Sequence, residues 1–282
     1  MGILYVVATP IGNLGDFSKR AEDTLRESDL ILVEDTRQTI KLLNYFDIKV
    51  KMLSYHKFNE KERVDEIIKF LNEGKNISLV SDAGTPCISD PGYILIKEAL
   101  KNNIKVIGIP GCSAVITSLS VSGLDTSSFA FYGFVPTENK AKKELFERIK
   151  HSDISTKVIY ESPKKIIKLL EYIKKEIPGC VVSICTELTK IHENTINGKI
   201  EEIYEKMKDD PNSFKGEYVV LINNKPLKEE KNVISTEALL VDLIVKNKCS
   251  LKDAIKILND SNKNLNKKDI YNASLKLKNI IN

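Results

Sequence analysis

Twelve residues, Ser81-Asp82-Ala83-Gly84-Thr85-Pro86-Cys87-Ile88-Ser89-Asp90-Pro91-Gly92, follow the apolar run Ile77 to Val80 and contain two prolines and two glycines, a spacing that excludes regular structure. A broken loop at the carboxyl end of a strand is where an α/β protein receives a ligand, because glycine lets the ligand approach the backbone. The alternative is an elaborate strand-to-helix turn. Neither the P-loop pattern nor G-x-G-x-x-G occurs, so phosphate cradling and an ordinary dinucleotide site are both disfavoured. The loop Ala8 to Asp16 also leaves an apolar run and belongs on the same rim, where a ligand could lie between the two loops. Glu34-Asp35-Thr36-Arg37 carries three charges and a hydroxyl, too many to bury unpaired; it reads as a polar substrate wall or as a self-satisfied Asp and Arg pair. Pro110-Gly111-Cys112-Ser113-Ala114 opens a helix whose amides suit an acceptor group, with plain hydroxyl capping as the other reading. Tyr160-Glu161-Ser162-Pro163 and Thr186-Glu187-Leu188-Thr189-Lys190 place further carboxylates after strands.

The elements that must hold these groups are legible as alternation. Apolar, β-branched runs at Ile3 to Ala8, Leu30 to Val33, Ile77 to Val80 and Val106 to Ile109 are separated by helical periodicity, which implies mostly parallel strands. One helix spans Glu60 to Glu73, with Val64, Ile67, Ile68 and Leu71 on one face and Gly74 as its stop. Ser113 to Ser122 reads as another, stopped by Gly123. A second strand set falls at Phe129 to Phe134, Val158 to Tyr160, Val181 to Cys185 and Tyr218 to Ile222, with Ser162 and Pro163 as N-cap and first residue of a helix ending near Glu176. The expectation is an α/β protein with an N-terminal domain over residues 1–123, a C-terminal α/β domain over 128–224 and a basic helical appendage over 225–282.

Composition fits a reduced, cytoplasmic, metal-free protein. The five cysteines include no C-x-x-C pair, the three histidines form no local cluster, and the apolar N-terminus is too short to span a bilayer. The net charge of +4 resides in residues 225–282, where twelve lysines face seven acids. That excess suits either a nucleic-acid backbone or a solvated surface in a lysine-rich chain.

Taken in order, Ala8-Thr9-Pro10-Ile11-Gly12-Asn13-Leu14, Glu34 to Arg37, Ser81 to Gly92, Pro110-Gly111-x-Ser113-Ala114, Gly133-Phe134-x-Pro136 and Tyr160 to Pro163 resemble the tetrapyrrole-methylase-like superfamily, and within it the branch that modifies ribosomal RNA. The resemblance covers roughly residues 2 to 224, with Lys164-Lys165 standing where relatives usually show His-Arg. It implies a two-domain tetrapyrrole methylase-like fold and S-adenosylmethionine bound between the domains by Pro10, Ala83, Gly84, Ile88, Ser113, Ala114 and Glu161, with Gly198 a weaker addition. It also implies a homodimer that 2'-O-methylates a decoding-centre cytidine of 16S rRNA, the RNA being met within the small ribosomal subunit, with no membrane partner. A ribose hydroxyl attacks well only as its proton leaves, so a positioned base would help, by about 10²- to 10⁴-fold; Glu34, Asp35, Glu187 and Lys190 are the candidates. Arg37 and His56 are assigned to RNA phosphate or the cytosine edge, and Tyr55 to stacking on a splayed base. Two other readings stay open: a methylase of a tetrapyrrole or diphthamide precursor, and a non-catalytic RNA-binding assembly factor.

Overall fold

The structure, a computed structural model, describes residues 1–224, 235–261 and 266–281. The chain gathers into two compact units, Met1–Leu227 and Lys228–Asn282. In chain order the first half of the larger unit runs β1 (Ile3–Val7), α1 (Lys19–Arg26), β2 (Leu30–Val33), α2 (Thr36–Tyr45), β3 (Met52–Ser54), α3 (Glu60–Asn72), β4 (Ile77–Leu79), α4 (Tyr93–Lys101), β5 (Lys105–Ile109) and α5 (Ala114–Val121). Its five strands form one parallel sheet in the order β3-β2-β4-β1-β5. β2 is apolar at every position because it is buried on both faces, as parallel strands under two helix layers must be. Leu30 and Leu32 join the core under α3 and α4, while Ile31 and Val33 join the core under α1 and α2. The α3 stripe of Val64, Ile67, Ile68 and Leu71 is buried, and Gly74 follows it in the left-handed region at φ +94°.

The second half runs β6 (Phe129–Phe134), α6 (Asn139–His151), β7 (Thr156–Glu161), α7 (Ile166–Glu176), β8 (Val181–Thr186), β9 (Asn194–Lys199), α8 (Ile200–Met207) and β10 (Tyr218–Asn223). Its sheet order is β6-β7-β10-β8-β9. Only β6 and β7 pair in parallel; β10 runs antiparallel to both β7 and β8, and β8 antiparallel to β9. The mostly parallel arrangement inferred from alternation in the first strand set is the one found in the first sheet, while the second sheet is mixed. The β8 to β9 connection has no helix, and a helix-free connection of that length suits an antiparallel return. The helices α6, α7 and α8 cover one face of this sheet. Its other face receives α5, whose Val115 and Leu119 pack with Val158, Cys185, Val219 and Leu221. A helix that follows the last strand of the first sheet thus packs on the second, and it fixes the two layers around the space between them.

One sequence expectation at a helix start is corrected. Ser162 and Pro163 do not cap α7; they open a turn in which the Ser162 carbonyl accepts from the Lys165 N–H at 3.0 Å, and Lys165 is the N-cap. The Ser162 backbone N–H and hydroxyl both point to Glu161 Oε1, at 2.7 and 3.3 Å, so the hydroxyl is not free to cap. In the smaller unit, α9 (Thr236–Asn247), α10 (Leu251–Ser261) and α11 (Lys267–Ile281) share a core of Leu240, Ala254, Leu258, Ile270, Ala273 and Leu277. Residues 225–234, 262–265 and 282 of the expected basic appendage lie outside the described residues. Among those described, no helix is long and apolar enough to cross a membrane.

Candidate functional site

The three loops that leave β1, β4 and β5 are joined by backbone and threonine hydroxyl hydrogen bonds. The Thr9 N–H donates to the Gly84 carbonyl at 2.9 Å and the Gly84 N–H donates back to Thr9 at 3.0 Å, a one-rung antiparallel bridge. Thr9 Oγ1 donates to the Ser81 carbonyl at 3.1 Å, and Thr85 Oγ1 to the Cys112 carbonyl at 3.0 Å. This corrects the idea of a ligand lying between the loops that follow β1 and β4: they are zipped together, and the open space lies between them and the second sheet.

That space is a cavity of about 360 Å³. Ile11, Ala83, Gly84, Ile88 and Asp90 form one wall, Ser113 and Ala114 stand at the start of α5, and Phe134, Tyr160, Glu161 and Glu217 to Val219 form the opposite wall. Its size is that of a small-molecule site, roughly 300–1,000 Å³ in general. The loop reaches this position through an unusual backbone: Gly84, Cys87, Ser89 and Gly92 all have positive φ, at +82°, +72°, +70° and +136°. Non-glycine residues in that region cost about 1–3 kcal/mol each and persist where surrounding contacts impose them. A Cβ at Gly92 would stand 2.5 Å from Cys87 Sγ and 2.8 Å from Leu79 Cδ2, so the turn closes only with glycine. On the far wall, the register of β6 slips between Phe131 and Phe134; Gly133, at φ +72°, lies where a Cβ would meet Ser89 Oγ at 3.3 Å. The bulge is where the second sheet meets the loop.

The electrostatics divide the acids into two kinds. Burial raises Asp90 to about 6, opposed by the Ser81 hydroxyl and reinforced by the Asp82 charge. Burial likewise raises Glu34, helped by Asp90 and Asp82 and opposed by His56, and burial also raises Asp82, whose Oδ1 accepts from the Asp35 N–H at 3.1 Å. By contrast Asp35 is held down at about 2 by Arg37, which meets it at 2.6 Å and also donates its backbone N–H at 2.8 Å. Of the two readings of Glu34 to Arg37, the Asp and Arg pair is thus formed, at the first turn of α2, with the Arg37 side chain largely exposed.

At the other end of the site Lys190 Nζ bridges Glu187 Oε1 at 2.9 Å and Glu217 Oε2 at 3.1 Å. Burial lowers its pKa but the two carboxylates outweigh it, and the net shift is upward. Glu187 Oε1 also accepts from the Glu217 N–H at 3.1 Å. The Lys190 stem lies against Gly12, where a Cβ would be 2.6 Å from Lys190 Cγ, so this ammonium group spans from the first loop to the second sheet.

Of the residues singled out from sequence, Ala83, Gly84, Ile88, Ser113, Ala114 and Glu161 line the cavity. Ser113 also caps α5, accepting from the Ile116 N–H at 3.4 Å. Pro10 does not line it, although its neighbour Ile11 does. Gly198 pairs with Val182 in the edge hairpin and packs toward Ile203, away from the cavity lining. The stacking role given to Tyr55 is overturned, because its ring is 1% exposed within the first-sheet core. Glu34, Asp35 and Arg37 gather beside Asp82, and Glu187 and Lys190 beside Glu217. Glu217, Tyr218 and Val219 were not foreseen; the only local sign is Gly216 ahead of the apolar run, a left-handed residue at φ +83°. Among the described residues no group of His, Cys, Asp and Glu has the geometry of a metal site.

The comparisons with known proteins agree on the lineage. Residues 3–204 match the family model of Tetrapyrrole (Corrin/Porphyrin) Methylases. A protein of Halalkalibacterium halodurans called ribosomal RNA small subunit methyltransferase I is 42% identical over 275 residues, covering 96% of this chain and 94% of its own length. Its namesake in Haemophilus influenzae is 38% identical, covering 91% of each chain. In fold, a crystal structure of diphthine synthase superposes with a TM-score of 0.61 at 15% identity, over 79% of this chain and 90% of that one. By identity over nearly its whole length, the chain belongs to the ribosomal RNA small subunit methyltransferase I family of tetrapyrrole methylases.

Proposed function

We propose that the protein transfers a methyl group from S-adenosylmethionine to the ribose 2'-hydroxyl of a decoding-centre cytidine in 16S rRNA. The observation that carries this reading is the cavity between the two sheets, which combines apolar walls with a buried carboxylate at Glu161 and two aromatic rings, Phe134 and Tyr160, 5.3 Å apart. Such a lining fits a ligand that is part apolar heterocycle and part cation, because ring faces and carboxylates both favour positive charge. The cofactor supplies an electrophilic methyl on a sulfonium when bound. Ala83 and Gly84 would offer it backbone with little side chain, Ile88 an apolar surface, and Ser113, Ala114 and Glu161 would close the remaining sides.

The chain's own contribution is to align the acceptor, exclude water and take a proton. Asp35 is occupied by Arg37, and Lys190 is held protonated by two carboxylates, leaving neither suited to accept a proton. Glu187 is engaged by Lys190 and by a backbone N–H. Glu34 remains: half-buried, with an upward-shifted pKa beside Asp82 and Asp90, it is the group we assign to the 2'-hydroxyl proton. Arg37 is assigned to RNA phosphate, and Lys190 positions the first loop against the second sheet. The active species is proposed as a homodimer.

Tritiated methyl transfer to small subunits lacking the modification, followed by mapping of the labelled nucleotide, tests this. A 2'-O-methyl cytidine in the decoding centre is expected. Label on a base, on a porphyrinogen, or cofactor binding without transfer to RNA would each replace the reading.

A further inference from the structure

Two parallel strands, β6 and β7, deliver the cavity residues Phe134, Tyr160 and Glu161 at their carboxyl ends, so the helices that follow them, α6 and α7, both begin at the cavity rim. What they begin with is lysine. Residues 138–144 and 163–175 hold eight lysines against three glutamates, Glu138, Glu144 and Glu171. Neither helix has an acid in its first turn or a side-chain cap. Positive charge there opposes the helix dipole and repels itself, so local stability does not explain it.

The charges are also left over. On these helices Lys150 is neutralised by Glu147 and Glu176, and Lys174 by Glu205. Lys140, Lys143, Lys164, Lys165, Lys168 and Lys175 form no ion pair with the described residues, and all six are exposed. Lys168 and Lys175 are seven residues apart on one face of α7, about 10 Å at 1.5 Å per residue, and Lys164 stands in the turn just before the helix, so the three form a row leading away from the cavity. The row starts beside Pro163 at the cavity and runs into a shallow groove lined by Lys168, Glu171, Tyr172, Lys174, Lys175 and Tyr204, three lysines against one carboxylate.

From this geometry we infer that the α7 face is the track along which the RNA strand flanking the target nucleotide leaves the cavity, held through its phosphates by Lys164, Lys168 and Lys175. The inference rests on the proposed RNA substrate and adds where the RNA lies. Lysines suit this task because an ammonium group neutralises phosphate without reading sequence, while the wall near the cavity selects the nucleotide. The partner is a polyanionic strand rather than an acidic protein, since the charges form a row interrupted by Glu171 alone, with two tyrosines and no aliphatic patch in its groove.

The test is the full-length triple variant Lys164→Gln, Lys168→Gln, Lys175→Gln, with Lys51→Gln, Lys69→Gln, Lys105→Gln on the first half of the chain as a control of equal charge. Binding of a labelled decoding-region rRNA fragment is measured against salt, together with kcat, KM and cofactor affinity. Loss of three phosphate contacts is expected to reduce the slope of log K against log salt by about 2 and to weaken binding about tenfold or more near physiological salt. Cofactor affinity and kcat should stay within about twofold. An unchanged slope, or an equal fall in the control, overturns the inference. Should neither wild type nor variant transfer a methyl group while the slope still falls in the variant alone, the RNA track stands and the proposed reaction fails.

Discussion

Asp90 shows how one residue can report the environment of the site. Its ordinary pKa of 3.8 is raised to about 6 chiefly by burial. Below pH 4 the carboxyl group is protonated in both folded and unfolded chains. Between 4 and 6 the folded chain binds more protons, so stability falls as pH rises, and above 6 the whole cost is in place. Asp90→Asn should therefore raise Tm at pH 7.5 and leave it nearly unchanged at pH 4, as a pH series of thermal melts would show; equal effects at both values would contradict the burial argument. Glu34 is shifted in the same direction, so as the proposed base it should make kcat rise with pH above the usual carboxylate range. Glu34→Gln is expected to lower kcat by about 10²- to 10⁴-fold while flattening that limb, with cofactor affinity held. A loss of rate without change in the profile would assign the residue to structure instead. The sequence allowed an Asp and Arg pair at this position but could not choose between Glu34 and Asp35, adjacent letters that only the Arg37 contact separates into an available and a silenced carboxylate.

At the scale of the element, the loop from Ser81 to Gly92 was readable because proline and glycine mark irregular backbone by their own covalent geometry. Cys87 and Ser89 in the left-handed region were not, since nothing in their side chains demands it; packing from Leu79, Gly92 and the β6 bulge does. β9 escaped for a related reason. As an edge strand it reads Asn-Thr-Ile-Asn-Gly-Lys, too polar to announce itself as an apolar run. Gly92→Ala tests the loop directly. The added methyl group would overlap Cys87 Sγ and Leu79 Cδ2 at a φ of +136°, where every L residue is strained. Displacement of the loop should weaken cofactor binding by an order of magnitude or more, read by calorimetry, whereas Gly179→Ala, with open space around it at φ +73°, should cost stability without touching cofactor affinity.

At the scale of the molecule, the two sheets were foreseen as separate domains with a site between them, and the feature that sequence could not supply is the packing that joins them. α5 follows the last strand of the parallel sheet yet buries Val115 and Leu119 against β7, β8 and β10 of the mixed one. Neither sheet owns a complete cavity; the loops of one and the strand ends of the other each provide a wall. A ligand in that space binds only when both halves are folded and packed, so its free energy stabilises them jointly. At a cofactor concentration about 100-fold above Kd the gain is roughly 2.7 kcal/mol, which for a unit of this size corresponds to about 5 to 11 °C in Tm. Hydrogen exchange should then show slower exchange in three segments distant in sequence, 83–90, 160–163 and 217–219, together with the strands behind them. The core of α9 to α11, a cluster of its own around Leu240 and Leu258, should exchange at the same rate with and without cofactor. Protection confined to 83–90 would mean that the first sheet binds the cofactor alone, and the shared cavity would then have no thermodynamic role.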